Sequence, residues 1–160
     1  MLVYLAIYVA MTVGSFVGVL MLRDANGEPV EGVADMAGLS RSKPLLALCL
    51  AIFMLSLAGI PPLFGFWGKF VVFQAAVRAD LVVLAALGIA ASVIGAFYYL
   101  KVVKVMYFDE PAGVIEGRSD RAHWALLAIS AVFVSPLGYL LTKPLGEWAD
   151  RAAAALFLAA

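Results

Sequence analysis

The chain has 160 residues, 65% of them hydrophobic, with zero formal net charge at pH 7 and a mean hydropathy of +1.03. Soluble domains are only about half apolar, so this composition excludes one and indicates an all-α membrane protein that crosses the bilayer several times. Balanced charge without a basic tract or a nucleic-acid-binding motif leaves the lipid bilayer, not nucleic acid, as the expected partner.

Met1 is followed at once by apolar residues, with neither the basic segment nor the cleavage site of a signal peptide. So abrupt a start within a hydrophobic pattern suggests a fragment or a truncated reading frame. The first span runs over about residues 1–22, roughly 33 Å of helix and long enough to cross. Gly14 and Gly18, four apart, either admit a second helix at close range or reflect how common glycine is in membrane helices. Residues 23–43 then read as a polar loop, because Arg-Asp-Ala-Asn-Gly-Glu-Pro carries turn chemistry throughout. Asp35–Leu39 is expected as a short surface helix ending at Gly38.

A second apolar segment covers about residues 45–76 and carries a single charge before its end, Lys69. As one straight helix, Leu45–Gln74 would reach about 45 Å, well beyond a hydrocarbon core of about 30 Å. Pro61 and Pro62 remove two backbone donors and clash with carbonyls one turn back, so the span should break there into two halves. Gly59, Gly65 and Gly68 flank the break and let the backbone turn. Non-helical backbone inside a bilayer needs neighbouring protein or a hydrated cavity, and discontinuous helices with a nearby charge are the usual architecture of ion and proton sites. Lys69 is therefore the candidate functional charge. Its alternative is structural, an ammonium snorkelling to the headgroups.

The third span covers about residues 81–108, with small residues at Gly88, Ala91, Ser92 and Gly95 and aromatic residues towards its end. Lys101 and Lys104 share a face near its carboxyl end, where the helix dipole and snorkelling favour lysine. Lys101, the deeper, is a secondary candidate for a hydrated path. Residues 109–122 form a second polar loop, followed by a fourth span over about 123–141 that contains Pro136. Beyond Lys143-Pro144 the tail is either an interfacial amphipathic segment or a frayed end. Cys49 has no intrachain partner and reads as packing, His123 before Trp124 reads as interfacial, and together they make no metal set. Arg23, Arg41, Lys43, Lys104, Arg118 and Arg121 fall at the two longer loops, against Arg78, Lys143 and Arg151 opposite. That bias places the loops in the cytoplasm and both termini in the periplasm.

With these motifs assembled, AGIPPLFGFWGKFVVFQAAV, preceded by DMAGLSRSKPLLALCLAIFMLSL and followed by IGAFYYLKVVKVMYFDEP, resembles the carboxyl-terminal part of the N subunits of bacterial proton-pumping NADH:quinone oxidoreductase, respiratory complex I. YLAIYVAMTVGSF near the start is similar to the same antiporter-like family. The resemblance runs from about Tyr4 to Pro111, and the fourth span agrees in hydropathy only. It implies part of an antiporter-like helix bundle in the bacterial inner membrane, with Lys69 as a proton-relay residue and Gly59, Pro61, Pro62 and Gly65 marking the discontinuity. It also implies that the partners are other membrane subunits of complex I, and that NADH, FMN, iron–sulfur clusters and quinone are bound by other subunits, with no cofactor or metal in this chain. Full family members have more spans, and their other central charged residues have no counterpart here. Two alternatives remain: a subunit of a multi-subunit sodium/proton antiporter, whose broken helix shares the Gly-x-Pro-Pro-x-x-Gly-Phe-x-x-Lys pattern, and a structural membrane anchor.

Overall fold

The computed structural model describes residues 2–111, 113, 115 and 120–158. Every helix or strand among them is a helix: α1 (Leu2–Leu20), α2 (Leu39–Ser42), α3 (Pro44–Ala58), α4 (Phe64–Arg78), α5 (Val82–Phe108), α6 (Arg121–Val134) and α7 (Thr142–Leu158), with short 3-10 segments at Ala34–Met36 and Pro136–Leu141. α1 and α5 are each long and apolar enough to cross a membrane, and α6 with the segment after it is a third candidate if that bent pair is one span.

The 45–76 segment is two helices, α3 and α4, separated by residues 59–63. α3 opens on Pro44, whose missing N–H costs nothing in a first turn. It closes on Gly59 at φ +84°, where the Gly59 and Ile60 N–H groups return to the Ser56 and Leu55 carbonyls, the Schellman arrangement. Left-handed backbone there favours glycine, because a Cβ would meet the following carbonyl.

α1 lies against α3, α4 and α6, and the core forms where they meet: Ile7, Met11, Leu50, Phe53, Phe64, Leu127 and Val134 are all buried. Gly14 and Gly18 are what let α1 and α3 approach. A Cβ on Gly14 would enter the Phe53 ring, and one on Gly18 would meet Leu50 at 2.6 Å and Leu127 at 3.2 Å. α5 packs against α3 and buries Val105 and Met106 near its carboxyl end, while Val83, Leu87, Val93, Ile94 and Phe97 are exposed. Such an apolar outer face suits a hydrocarbon solvent, in which its exposure carries no penalty.

Residues 123–141 are not one continuous helix. α6 stops at Val134, and the chain turns by 70° into the segment from Pro136. Pro136 disfavours helical backbone at the residue before it, so Ser135 is extended at ψ 176° and its hydroxyl caps the next turn by accepting from Leu137 N–H at 3.2 Å. The tail beyond, left undecided by its sequence, is helical through Leu158. In the first loop the expected surface helix at Asp35–Leu39 is split, with Gly38 at φ +70° between the 3-10 turn and α2.

The two longer loops meet at one end of the bundle. Gly38 N–H donates to Val105 O at 3.3 Å, and Arg41 pairs with Glu110 at 3.2 Å. Lys104 pairs with Asp109 beside them, and Asp120 caps α6 while approaching His123 Nδ1 at 3.6 Å. Arg118, counted above for its charge, lies outside the described residues.

Candidate functional site

Between α3 and α4 several backbone polar groups find partners close at hand. Pro61 and Pro62 have no N–H to satisfy, the peptide between them is cis, and both side chains are exposed. Leu63 N–H donates to Ile60 O and Phe66 N–H to Leu63 O, both at 3.1 Å. Another donor at the start of α4, Gly65 N–H, reaches back to the buried Ser56 hydroxyl on α3 at 2.9 Å. Ser56 in turn donates to Met11 Sδ on α1 at 3.1 Å, so one side chain ties three helices at the break. Gly65 has to be glycine here, since a Cβ would fall on the Ser56 carbonyl and hydroxyl.

The far side of the break is covered by aromatic packing. Phe64 stacks with Trp67 and meets Phe133 and Tyr139 at centroid distances of 5.4–5.5 Å, and Tyr139 Oη donates to Leu63 O at 3.4 Å. These contacts give the discontinuity protein neighbours on the α6 side, as irregular backbone in a bilayer requires.

Lys69 sits in the second turn of α4 and folds back across the break. Its Nζ donates to Leu57 O at 2.8 Å, in the last turn of α3. The side chain passes over Gly59, where a Cβ would come within 3.2 Å of Lys69 Cδ. Because the Schellman bonds occupy the Leu55 and Ser56 carbonyls, Lys69 supplies the donor that the next carbonyl lacks, and it places a cation at the negative end of α3. Among the described residues this is its one hydrogen bond.

Two cavities border the lysine. One, of about 570 Å³, runs between α4 and α5 and is lined mainly by Phe66, Phe70, Phe73, Val77, Ile89 and Val93. The other, of about 260 Å³, lies towards α1 and is lined by Tyr4, Tyr8, Leu57, Ser92 and Tyr99 among others. Lys69 and Ser92 belong to both.

Gly59, Pro61, Pro62, Gly65 and Lys69 are thus brought together. Lys101 is not. It is exposed on α5 and lines neither cavity, nine residues and about 13 Å of helix beyond Ser92. Ser56, the Leu57 carbonyl and the tyrosines escaped the sequence reading, because their link to Lys69 is tertiary. The only signal in the chain was the Tyr4/Tyr8 spacing, which puts both rings on one face of α1.

Residues 1–95, which include the whole break and Lys69, match the family described as NADH:quinone oxidoreductase/Mrp antiporter, TM. The chain belongs to that family. Among NADH:quinone oxidoreductase/Mrp antiporter proteins, it is 67% identical over 99% of its length to NADH-quinone oxidoreductase subunit N of Erythrobacter litoralis. It is 56% identical over 96% of its length to the protein of the same name from Rhizorhabdus wittichii. It spans about a third of these relatives, 33% and 32% of their lengths. Among solved structures it resembles a chain of respiratory complex I from Thermus thermophilus with bound aureothin, at 30% identity and a TM-score of 0.77, over 90% of this chain and 33% of that one.

Proposed function

We propose that this chain works as part of a membrane-arm subunit of a proton-translocating NADH:quinone oxidoreductase in the bacterial inner membrane, with Lys69 as a protonatable relay residue. The observation that carries the reading is the position of Lys69. It lies at a helix discontinuity inside the family-matched segment, bonded to a carbonyl of the broken helix and bordering two cavities. Intramembrane charges at such breaks are functional by default. In the full arrangement the chain crosses the membrane four times, α3 and α4 together making the second, broken crossing. The two longer loops then face the cytoplasm and the termini the periplasm. Other membrane subunits of the complex are its partners, and electron transfer from NADH to quinone takes place on cofactors held elsewhere.

Lys69 Nζ is a protonatable amine held at the break by Leu57 O, so it can release a proton towards an acceptor reached through water and take one back. A charge that moves or changes protonation nearby during quinone reduction would bias that exchange, and in this way redox chemistry elsewhere is coupled to proton movement past the break. The family description covers Mrp antiporters as well, but the relatives at 67% and 56% identity are both NADH-quinone oxidoreductase subunits, which favours the respiratory reading.

One observation favours a second reading. Lys69 caps α3 through Leu57 O, which a purely structural lysine would also do. On a native gel of gently solubilised membranes, the respiratory reading expects the chain to comigrate with a large band that stains for NADH dehydrogenase activity. Migration in an NADH-inactive assembly would favour the antiporter. Lys69→Met in the full-length subunit is expected to lower protons pumped per NADH oxidised while leaving the band in place. Unchanged pumping would leave only the structural cap.

A further inference from the structure

The two cavities beside Lys69 differ in chemistry. The larger is walled by aromatic and aliphatic side chains, with Gln74 and Ser92 as its polar residues besides the lysine. The smaller is lined by the hydroxyl-bearing residues Tyr4, Tyr8, Ser92 and Tyr99 together with both residues of the Lys69–Leu57 hydrogen bond. Tyr4 and Tyr8 stack at 5.9 Å on α1, one helical turn apart. Ser92 and Tyr99 come from one face of α5, two turns apart, and Gly95 between them adds no side chain to the space.

We propose that this smaller cavity is the hydrated outlet of Lys69, and that Tyr4, Tyr8 and Tyr99 are positioning residues that hold the waters with which the lysine exchanges its proton. The inference rests on the reading of Lys69 as a relay and names the side from which it is served. A volume of 260 Å³ has room for several waters at about 30 Å³ each, and a buried water is retained where two to four polar partners meet it. Phenol and serine hydroxyls both donate and accept, so each can hand a proton to one neighbour while taking another from the opposite side. The apolar cavity has few such groups, and water there would be poorly held. Leu57 O accepts from the ammonium and from the neutral amine alike, so the nitrogen keeps its place while its proton passes to a cavity water and is later replaced.

The test is the triple variant Tyr4→Phe, Tyr8→Phe, Tyr99→Phe in the full-length subunit, assembled in its complex in membrane vesicles, beside Lys69→Met. The hydrated outlet predicts at least a threefold fall in protons pumped per NADH oxidised in the triple variant, with a changed solvent-deuterium isotope effect on pumping and an undiminished native-gel band. If Lys69→Met loses pumping and the triple variant keeps it, the outlet is wrong and the relay stands. If Lys69→Met keeps full pumping, both are wrong. Hydration is also read directly, without reference to pumping. On a Cys49→Ala background, Ala91→Cys in the smaller cavity should react with a small water-soluble thiol reagent at least tenfold faster than Ile89→Cys in the larger, and equal rates overturn the proposal even where the triple variant fails to assemble.

Discussion

Ser56 has no solvent exposure, and its hydroxyl is the acceptor for Gly65 N–H at the start of α4. Removing that oxygen strands a buried backbone donor, at a cost of about 1–3 kcal/mol. Ser56→Ala should therefore lower the midpoint of heat-induced disassembly of the complex on native gels, and an unchanged midpoint would mean that Gly65 N–H has another acceptor. Asp24 makes a different point at the same scale, outside the membrane segments. The backbone N–H of Glu28, at 2.9 Å, does most to hold its carboxyl below the ordinary value, with Asn26 and Gly27 adding to it. A carboxylate depressed by folding contributes stability that is fully present above the unfolded value of about 3.9 and is lost as pH falls through the lower folded value. At neutral pH, Asp24→Asn should speed amide exchange over residues 23–29. At pH values below the folded value, the variant and the parent chain should exchange alike.

At the level of elements, what could be read from the chain depended on whether the signal was local. Pro61-Pro62 announces a break on its own, because ring closure removes donors in any context, and Gly59 then ends α3 where left-handed backbone is needed. Lys69 was conspicuous as the one charge before the end of its apolar segment. Its acceptor was not, since Leu57 O lies across the break and belongs to a carbonyl that every residue possesses. Ser56 was equally hidden, as a serine inside an apolar helix gives no hint of which N–H it will meet. The bend at Ser135–Pro136 was local and legible, yet hydropathy carried the apolar pattern through it to residue 141. Tyr4 and Tyr99 are 95 positions apart in the chain and line one cavity only because α1 and α5 flank α4.

For the whole molecule, the contact between the two longer loops constrains how the chain is threaded. Gly38 sits against Val105 and Pro111, where a Cβ would come within 2.6 Å of Pro111 Cγ, and Arg41 meets Glu110. That ion pair is solvent-exposed and contributes less than about 1 kcal/mol, so the backbone contact at Gly38 is the firmer tie. With the four crossings proposed above, both loops are expected on one side of the bilayer. Asn26→Cys and Glu110→Cys are expected to react with a membrane-impermeant thiol reagent in inverted vesicles and to be protected in spheroplasts, and reaction from opposite sides would rule out this threading. The central claim concerns Lys69, and arginine separates its two readings. An arginine keeps a cationic donor for the α3 terminus but does not release its proton, so it can cap and cannot relay. The deciding measurement is protons translocated per NADH oxidised by vesicles carrying Lys69→Arg in the full-length subunit. A relay predicts a several-fold loss with the complex assembled, and pumping equal to the parent enzyme would contradict it.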